Sequence, residues 1–200
     1  MFCKYSLRSF ANETYFFCSL LLISLAACSP SASDELPAFE KQSLTAINAF
    51  AGQLKQALQT AMQEGGPAAA VAVCQTKAPQ IAAELSAETG FDISRTSLKV
   101  RNPANQPQDW QQAVLHDFEQ QKQAGTPVSE LQFVAVSDDG DSLRMMKAIG
   151  TEPVCLTCHG EKIDPGLQAD INRLYPADQA TGFQQGDIRG AFSVIRYRHD

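Results

Sequence analysis

The sequence predicts an α+β fold, in which helices come first and an antiparallel sheet of about four strands follows. Residues 37–88 carry apolar side chains at helical spacing, whereas later short runs are rich in β-branched residues or alternate in polarity. The chain has 200 residues, of which 44% are hydrophobic, an ordinary share for a globular core. This order of elements predicts one α+β domain.

Two helices open the predicted domain. Over 37–64 the apolar side chains form one stripe, and Gly65-Gly66 ends this helix. A second helix follows over about 67–88 and carries Cys74 among alanines on its apolar face. Pro79 should kink or split the second helix, because proline lacks a backbone donor and clashes with the preceding turn.

The remaining elements are shorter and mostly strands. A strand begins near Ile93 and ends at the turn Asn102-Pro103, because asparagine and proline favour turns. The elements that follow are a helix over 107–123, a hairpin of strands over 130–136 and 142–149, a short helix over 164–174 and a last strand over 189–198.

The loop 150–161, between the last two strands, carries the motif C-x-x-C-H as Cys155-Leu156-Thr157-Cys158-His159. This is the attachment signature of a covalent c-type haem. Two thiols three positions apart can each add to a vinyl group of one porphyrin, and the adjacent histidine can take an axial position on the iron. A disulfide, a zinc half-site or an unused cysteine pair are the alternatives, but zinc usually needs a second pair. The motif therefore predicts one haem c, bound through Cys155 and Cys158 with His159 as a ligand.

The first 27 residues predict a lipoprotein signal peptide. Lys4 and Arg8 precede a short apolar run that ends in Leu25-Ala26-Ala27-Cys28, which resembles the bacterial lipobox. Cys28 would then be the lipidated first residue of the mature protein, although a secretory signal or an uncleaved anchor helix is the alternative. Ser29 resembles the sorting pattern of outer-membrane lipoproteins in Gram-negative bacteria.

A small, polar segment over 28–36 predicts a flexible tether, and 37–200 would form the domain. We therefore expect a periplasmic protein that is held at the outer membrane through its lipid anchor only. The net charge of −6 argues against nucleic acid as a partner.

Cys74 is the cysteine that these assignments leave over. Of six cysteines, Cys3 and Cys18 lie in the leader, Cys28 carries lipid and two carry haem. An unpaired thiol in an oxidising compartment needs burial, a partner or a metal. Cys74 is thus either a small buried hydrophobe or a ligand of the haem iron, and the residues alone leave both open.

Other side chains compete for these roles. Met145 and Met146 fall on one strand, where adjacent residues face opposite ways, so at most one could reach a haem. His116 lies one residue off its helical stripe, which favours a surface position. Arg95 and Arg101 flank the first strand and are candidates to bind the two haem propionates, since arginine offers carboxylates a planar fork. Two exposed arginines on a solvated strand are the alternative.

The run Arg95-Thr96-Ser97-Leu98-Lys99-Val100-Arg101-Asn102-Pro103-Ala104-Asn105, with Cys74 before it and a late C-x-x-C-H, resembles a family of exported haem-binding proteins with a PAS-like fold. This family was long filed as a domain of unknown function, and the resemblance covers about 40–200. It implies a PAS-like antiparallel sheet with an N-terminal helical extension. It also implies an axial ligand pair of histidine and cysteine, which maps onto His159 and Cys74.

The resemblance favours redox or small-ligand sensing. A thiolate ligand stabilises ferric iron, and a position vacated on reduction could take a diatomic gas while the Cys74 helix moves. A sensor of this kind would need a signalling partner protein. The alternative is a membrane-tethered electron-transfer cytochrome with two fixed ligands and a redox partner. We do not expect an enzyme, because the sequence shows no distal histidine or arginine–histidine pairing.

Overall fold

The computed structural model describes residues 31–198 and shows a four-stranded antiparallel sheet in the order β1-β4-β3-β2. The strands are β1 (Asp92–Thr96), β2 (Gln132–Val136), β3 (Ser142–Gly150) and β4 (Ile188–Tyr197). The C-x-x-C-H motif lies between β3 and β4. The predicted α+β fold is therefore confirmed, with the helical extension first and the haem motif between the last two strands.

The helices are α1 (Ala32–Thr89), α2 (Asp109–Gln123), α3 (Leu156–His159) and α4 (Pro165–Leu174). Single turns of 3-10 helix lie at Pro103–Asn105, Val128–Glu130 and Pro153–Cys155. Along residues 31–198, none of the helices has a stretch apolar and long enough to cross a bilayer.

α1 consists of two segments that meet at Gly66, where φ is 69° and ψ is −165°. A glycine tolerates this conformation, and the break falls where the sequence predicts it. The expected split at Pro79 is wrong, because the helix continues through this residue with helical dihedral angles. Ala78 and Ile81, on either side of it, are buried in the core, and that packing outweighs the loss of one backbone hydrogen bond.

The start of α1 corrects the predicted tether. Residues 32–36 are helical, and the Ser31 backbone N–H donates to the Asp34 carboxylate at 3.2 Å. The Glu35 carboxylate pairs with Arg196 and, at 3.5 Å, with Arg198, so this turn is attached to the end of β4. The expectation of an irregular segment is therefore wrong for 32–36, while Cys28 and the leader lie outside the described residues.

The sheet separates two cores. α1 packs on one face, where Phe39, Phe50 and Met145 are buried. α2 packs on the other face, where Phe118 and Met146 are buried. The two methionines thus point to opposite faces, as the pleat of a strand requires, and both serve as core residues.

A β-bulge interrupts the ladder between β3 and β4. Ile149 pairs with Gly190 and Gly150 pairs with Ile188, so Arg189 is left out of the register. At Gly190 φ is 156°, and a Cβ atom there would lie 2.3 Å from the Thr96 carbonyl oxygen. This close approach of β1 and β4 requires a glycine.

We expect Gly190→Ala to lower the free energy of unfolding by about 2–4 kcal/mol, because it adds a backbone clash to an already disfavoured φ. Gly52→Ala is the matched control. Gly52 lies exposed in α1 with nothing within 4 Å of the added atom. There alanine should stabilise by up to about 1 kcal/mol. Urea unfolding of both variants tests this, and equal midpoints would contradict the proposed constraint at Gly190.

Candidate functional site

The C-x-x-C-H motif is held by backbone hydrogen bonds to a later loop. The Phe183 N–H donates to the His159 carbonyl at 3.0 Å, and the Gly182 N–H donates to the Gly160 carbonyl at 3.0 Å. Residues 156–159 form a single helical turn, which sets the two thiols of the motif one turn apart. The motif is therefore a fixed structure rather than an open loop.

His159 is oriented as an iron ligand would be. Its Nδ1 lies 2.7 Å from the Ala180 carbonyl oxygen, to which it donates in the tautomer that leaves Nε2 free to bind a metal. Burial holds the pKa of His159 well below its usual value, and the positive charges of Arg189 and Arg101 lower it further. The imidazole is thus neutral, the form that binds iron.

Arg101 connects the motif to the rest of the domain. Its Nε and Nη2 donate to the two oxygens of Asp178, each at 3.1 Å, in a bidentate pair. The same Nη2 lies 2.6 Å from the Cys158 carbonyl and 3.3 Å from the Ala180 carbonyl, which also accepts from His159. The Arg101 and Asp178 side chains are only 9% and 4% exposed. The alternative of a solvated arginine is therefore wrong for Arg101, while its contact with a propionate stays a prediction.

Tertiary packing brings Cys74 to this motif. Cys74 is half-buried on the second segment of α1, and Val71, one turn earlier, belongs to the cluster against which Cys158 packs. Burial raises the pKa of Cys158, and the charge of Cys74 contributes to the increase. Burial, with a further contribution from Cys74, raises the pKa of Tyr175 to about 12. Cys74 is thus close enough to the motif and to Tyr175 to influence the pKa of both Cys158 and Tyr175.

The electrostatic surroundings of Cys74 are strongly positive. Burial raises the pKa of its thiol, but the charges of Arg95, Arg101 and Arg189 act in the opposite direction. Nearby cations favour a thiolate, which is the form that binds iron. The remaining ligand candidates lie elsewhere, since Met145 and Met146 are core residues and His116 is exposed on α2.

Two of these arginines have no acidic partner among residues 31–198. The Arg95 guanidinium lies over the Phe50 ring, 5.3 Å from its centroid. The Arg189 guanidinium lies 5.3 Å from the centroid of Phe183, and its Nη1 donates to neutral oxygens of Ser97 and Lys99, both at 3.3 Å. Sequence reasoning missed Arg189, because a bulge leaves no local signal in the composition of a strand.

These residues fit a haem. Uncompensated guanidinium groups beside the motif would match two carboxylates, since buried charges need partners. Cys74, Cys155 and Cys158 are all free thiols, so the alternative of a disulfide is not formed. Along 31–198 no three histidine, cysteine or acidic side chains are placed to hold a metal ion. A haem iron needs only two protein ligands, because the porphyrin supplies four.

An open cleft of about 470 Å³ lies beside the motif, between the start of the second α1 segment and α4. It contacts the motif through Thr157 and includes neither Cys74 nor His159. The converging side chains, rather than this cleft, define the candidate site.

Comparison with known proteins gives two matches. A family model described as Tll0287-like matches residues 31–196. A crystal structure of the cyanobacterial heme-protein Tll0287 is similar, with a TM-score of 0.61 and 25% sequence identity over 82% of this chain and 98% of that one. No curated protein matches the chain. The family match and the shared fold confirm the resemblance drawn from the sequence.

We expect Arg101→Gln to lower the free energy of unfolding by about 3–5 kcal/mol, because it leaves the Asp178 carboxylate buried without its partner. Arg173→Gln is the matched control, since Arg173 pairs with Asp170 on the surface and its side chain is 68% exposed. That pair is worth about 0–1 kcal/mol. The free energy of unfolding of the two variants is measured in urea. A similar decrease in both would contradict a larger contribution from the buried pair.

Proposed function

The chain belongs to the Tll0287-like family, and we propose that it is an exported protein that binds one covalent haem c. Cys155 and Cys158 would form the thioether bonds, and His159 and Cys74 would be the axial ligands. The observation that carries this proposal is that the helix of Cys74 packs, through Val71, in one cluster with Cys158 of a C-x-x-C-H motif whose histidine has its Nδ1 hydrogen-bonded. The description of the similar cyanobacterial structure as a heme-protein supports it.

We propose redox or small-ligand sensing as the role of this site. Haem supplies one-electron redox chemistry and a position for a diatomic ligand. Cys74 lies on the α1 segment that follows the break at Gly66, and this segment contacts α4 through Val71 and Ile171. A change at the Cys74 thiol would therefore act directly on a helix that packs against α4. Its signal would pass to a partner protein.

Electron transfer is the second candidate, and a different observation favours it. Val154, directly before the first cysteine of the motif, is 63% exposed, which leaves the surface at the thioether side accessible to a protein partner. The Arg101–Asp178 pair holds the histidine side rigidly, as a carrier with two fixed ligands requires. When the axial ligands are held rigidly, the site changes its geometry less each time the iron gains or loses an electron.

The location follows from the leader. We propose that Cys28 is lipidated and that the protein lies in the periplasm at the outer membrane, attached to the membrane by the lipid only. This proposal rests on the lipobox alone. Nucleic acid is not a proposed partner of this acidic chain. We also propose a non-enzymatic role, because no distal acid–base pair is evident in the sequence.

For Cys74→Ser we expect the ferric protein to lose a low-spin thiolate signal in its low-temperature EPR spectrum, because an alcohol does not replace a thiolate on iron. Met146→Leu is the control, as it alters a buried sulfur on the opposite face of the sheet at a cost below about 1.5 kcal/mol. The low-spin thiolate signal should be unchanged in Met146→Leu. An unchanged spectrum in Cys74→Ser would contradict iron ligation by Cys74 and indicate that this residue only packs in the core.

Carbon monoxide separates the two roles. For a sensor we expect the reduced protein to bind the gas, and to bind it faster in Cys74→Ser, where the competing ligand is gone. For an electron carrier both axial positions stay filled and the wild-type optical spectrum does not change. Stopped-flow absorbance of the reduced wild type and of the variant measures the rate of carbon monoxide binding. A wild type that does not bind carbon monoxide would contradict small-ligand sensing.

A further inference from the structure

The β-bulge in β4 turns Arg189 toward the candidate site. A bulge leaves its extra residue outside the ladder and redirects that side chain. Arg189 is this extra residue, and its guanidinium lies over the Phe183 ring, which in turn meets the His159 imidazole edge to face at 6.3 Å. Arg189 is thus placed on the histidine side of the site.

Arg95 is the second arginine near the candidate site. It lies on β1, and its charge is the largest of those that oppose the rise in the pKa of Cys74. Its guanidinium packs over Phe50, a residue of the main core. The charges of Arg95 and Arg189 both act on the two proposed axial ligands, Cys74 and His159.

The charges at the site do not balance. Arg95, Arg101 and Arg189 bring three positive charges, and Asp178, the buried carboxylate among them, is bidentate to Arg101. Burial lowers the pKa of both remaining arginines, for Arg189 to about 10, where Arg101 and Arg95 contribute by repulsion. Half-buried cations that repel each other are costly unless an anion joins them.

The two guanidinium groups are also prepared for a ligand. Phe50 and Phe183 restrain the two guanidinium groups by cation–π contact, with the guanidinium carbon 5.3 Å from the ring centroid in each case. A guanidinium group in such a contact keeps N–H edges that can form bidentate bonds to carboxylate oxygens. Arg189 uses only Nη1, and only on neutral oxygens.

We propose that Arg95 and Arg189 form a binding site for two carboxylates, and that the haem propionates fill it. This inference rests on the proposed haem function. It assigns the carboxylates to Arg95 and Arg189 and leaves Arg101 to hold the motif. A free small dicarboxylate has the same chemistry, so the test must distinguish the two sources.

The test uses the full-length protein matured with haem whose propionate carboxylates carry carbon-13, introduced through labelled 5-aminolevulinate. Infrared difference spectra between the oxidised and reduced protein report the labelled carboxylate bands. The variants are Arg95→Gln, Arg189→Gln and the corresponding lysine substitutions, and Arg173→Gln on the surface of α4 is the control. Covalent haem content is measured for every variant.

We expect the labelled bands to shift in all four variants at Arg95 and Arg189, because neither glutamine nor lysine reproduces the fork, and to stay in place in the control. The midpoint potential should fall in the glutamine variants, since loss of a positive charge favours the oxidised form, and fall less in the lysine variants. If a glutamine variant does not fold, the band shift in the lysine variant at the same position tests the inference. Unshifted bands with full haem content would overturn the inference.

Added succinate identifies an outside carboxylate. We expect it to leave the spectrum and potential of the wild type unchanged, because the propionates already occupy the site. A succinate-dependent change that Arg189→Gln abolishes would show that the site takes a free dicarboxylate, which overturns the propionate assignment. A wild type without covalent haem would instead refute the proposed function, and the inference with it, so the two failures are distinguishable.

Discussion

The buried pair of Arg101 and Asp178 is the interaction on which the site depends. One guanidinium binds both oxygens of Asp178 and two backbone carbonyls, those of Cys158 in the motif and Ala180 in the following loop. Ala180 also accepts the Nδ1 proton of His159. The motif, the orientation of the histidine and the loop are thus held by one cation, which donates to four oxygens of the buried site.

The chain is acidic overall, with a net charge of −6, yet the site concentrates arginines. Burial keeps the pKa of the Cys74 thiol above its ordinary value, and the arginine charges offset only part of that increase. A thiolate ligand stabilises ferric iron, whereas nearby cations stabilise the reduced state. In the proposed function these two influences act against each other, so the arginines become the means by which the protein sets the potential.

Both segments of α1 contribute to the main core, and the second segment also reaches the candidate site. The first segment supplies Phe39 and Phe50 to the main core, and the second segment carries Cys74 to the motif and Val71 to the cluster with α4. Cys74, a proposed iron ligand, therefore lies on a helix that packs against both the main core and α4. This arrangement suits a sensor, because a change at the ligand has a direct path to a packed helix, although Val154 also leaves the motif approachable for an electron partner.

The sequence by itself determined the order of the elements, the break at Gly65-Gly66, the position of C-x-x-C-H between the last strands and the availability of Cys74. These depend on periodicity, glycine and proline chemistry and spacing along the chain, all of which are local. The tertiary structure alone decided that Pro79 stays helical, that Arg101 is buried against Asp178 and that Arg189 joins the site. Each of these follows from packing or strand register between residues far apart in sequence, and such contacts leave no periodic trace in the chain.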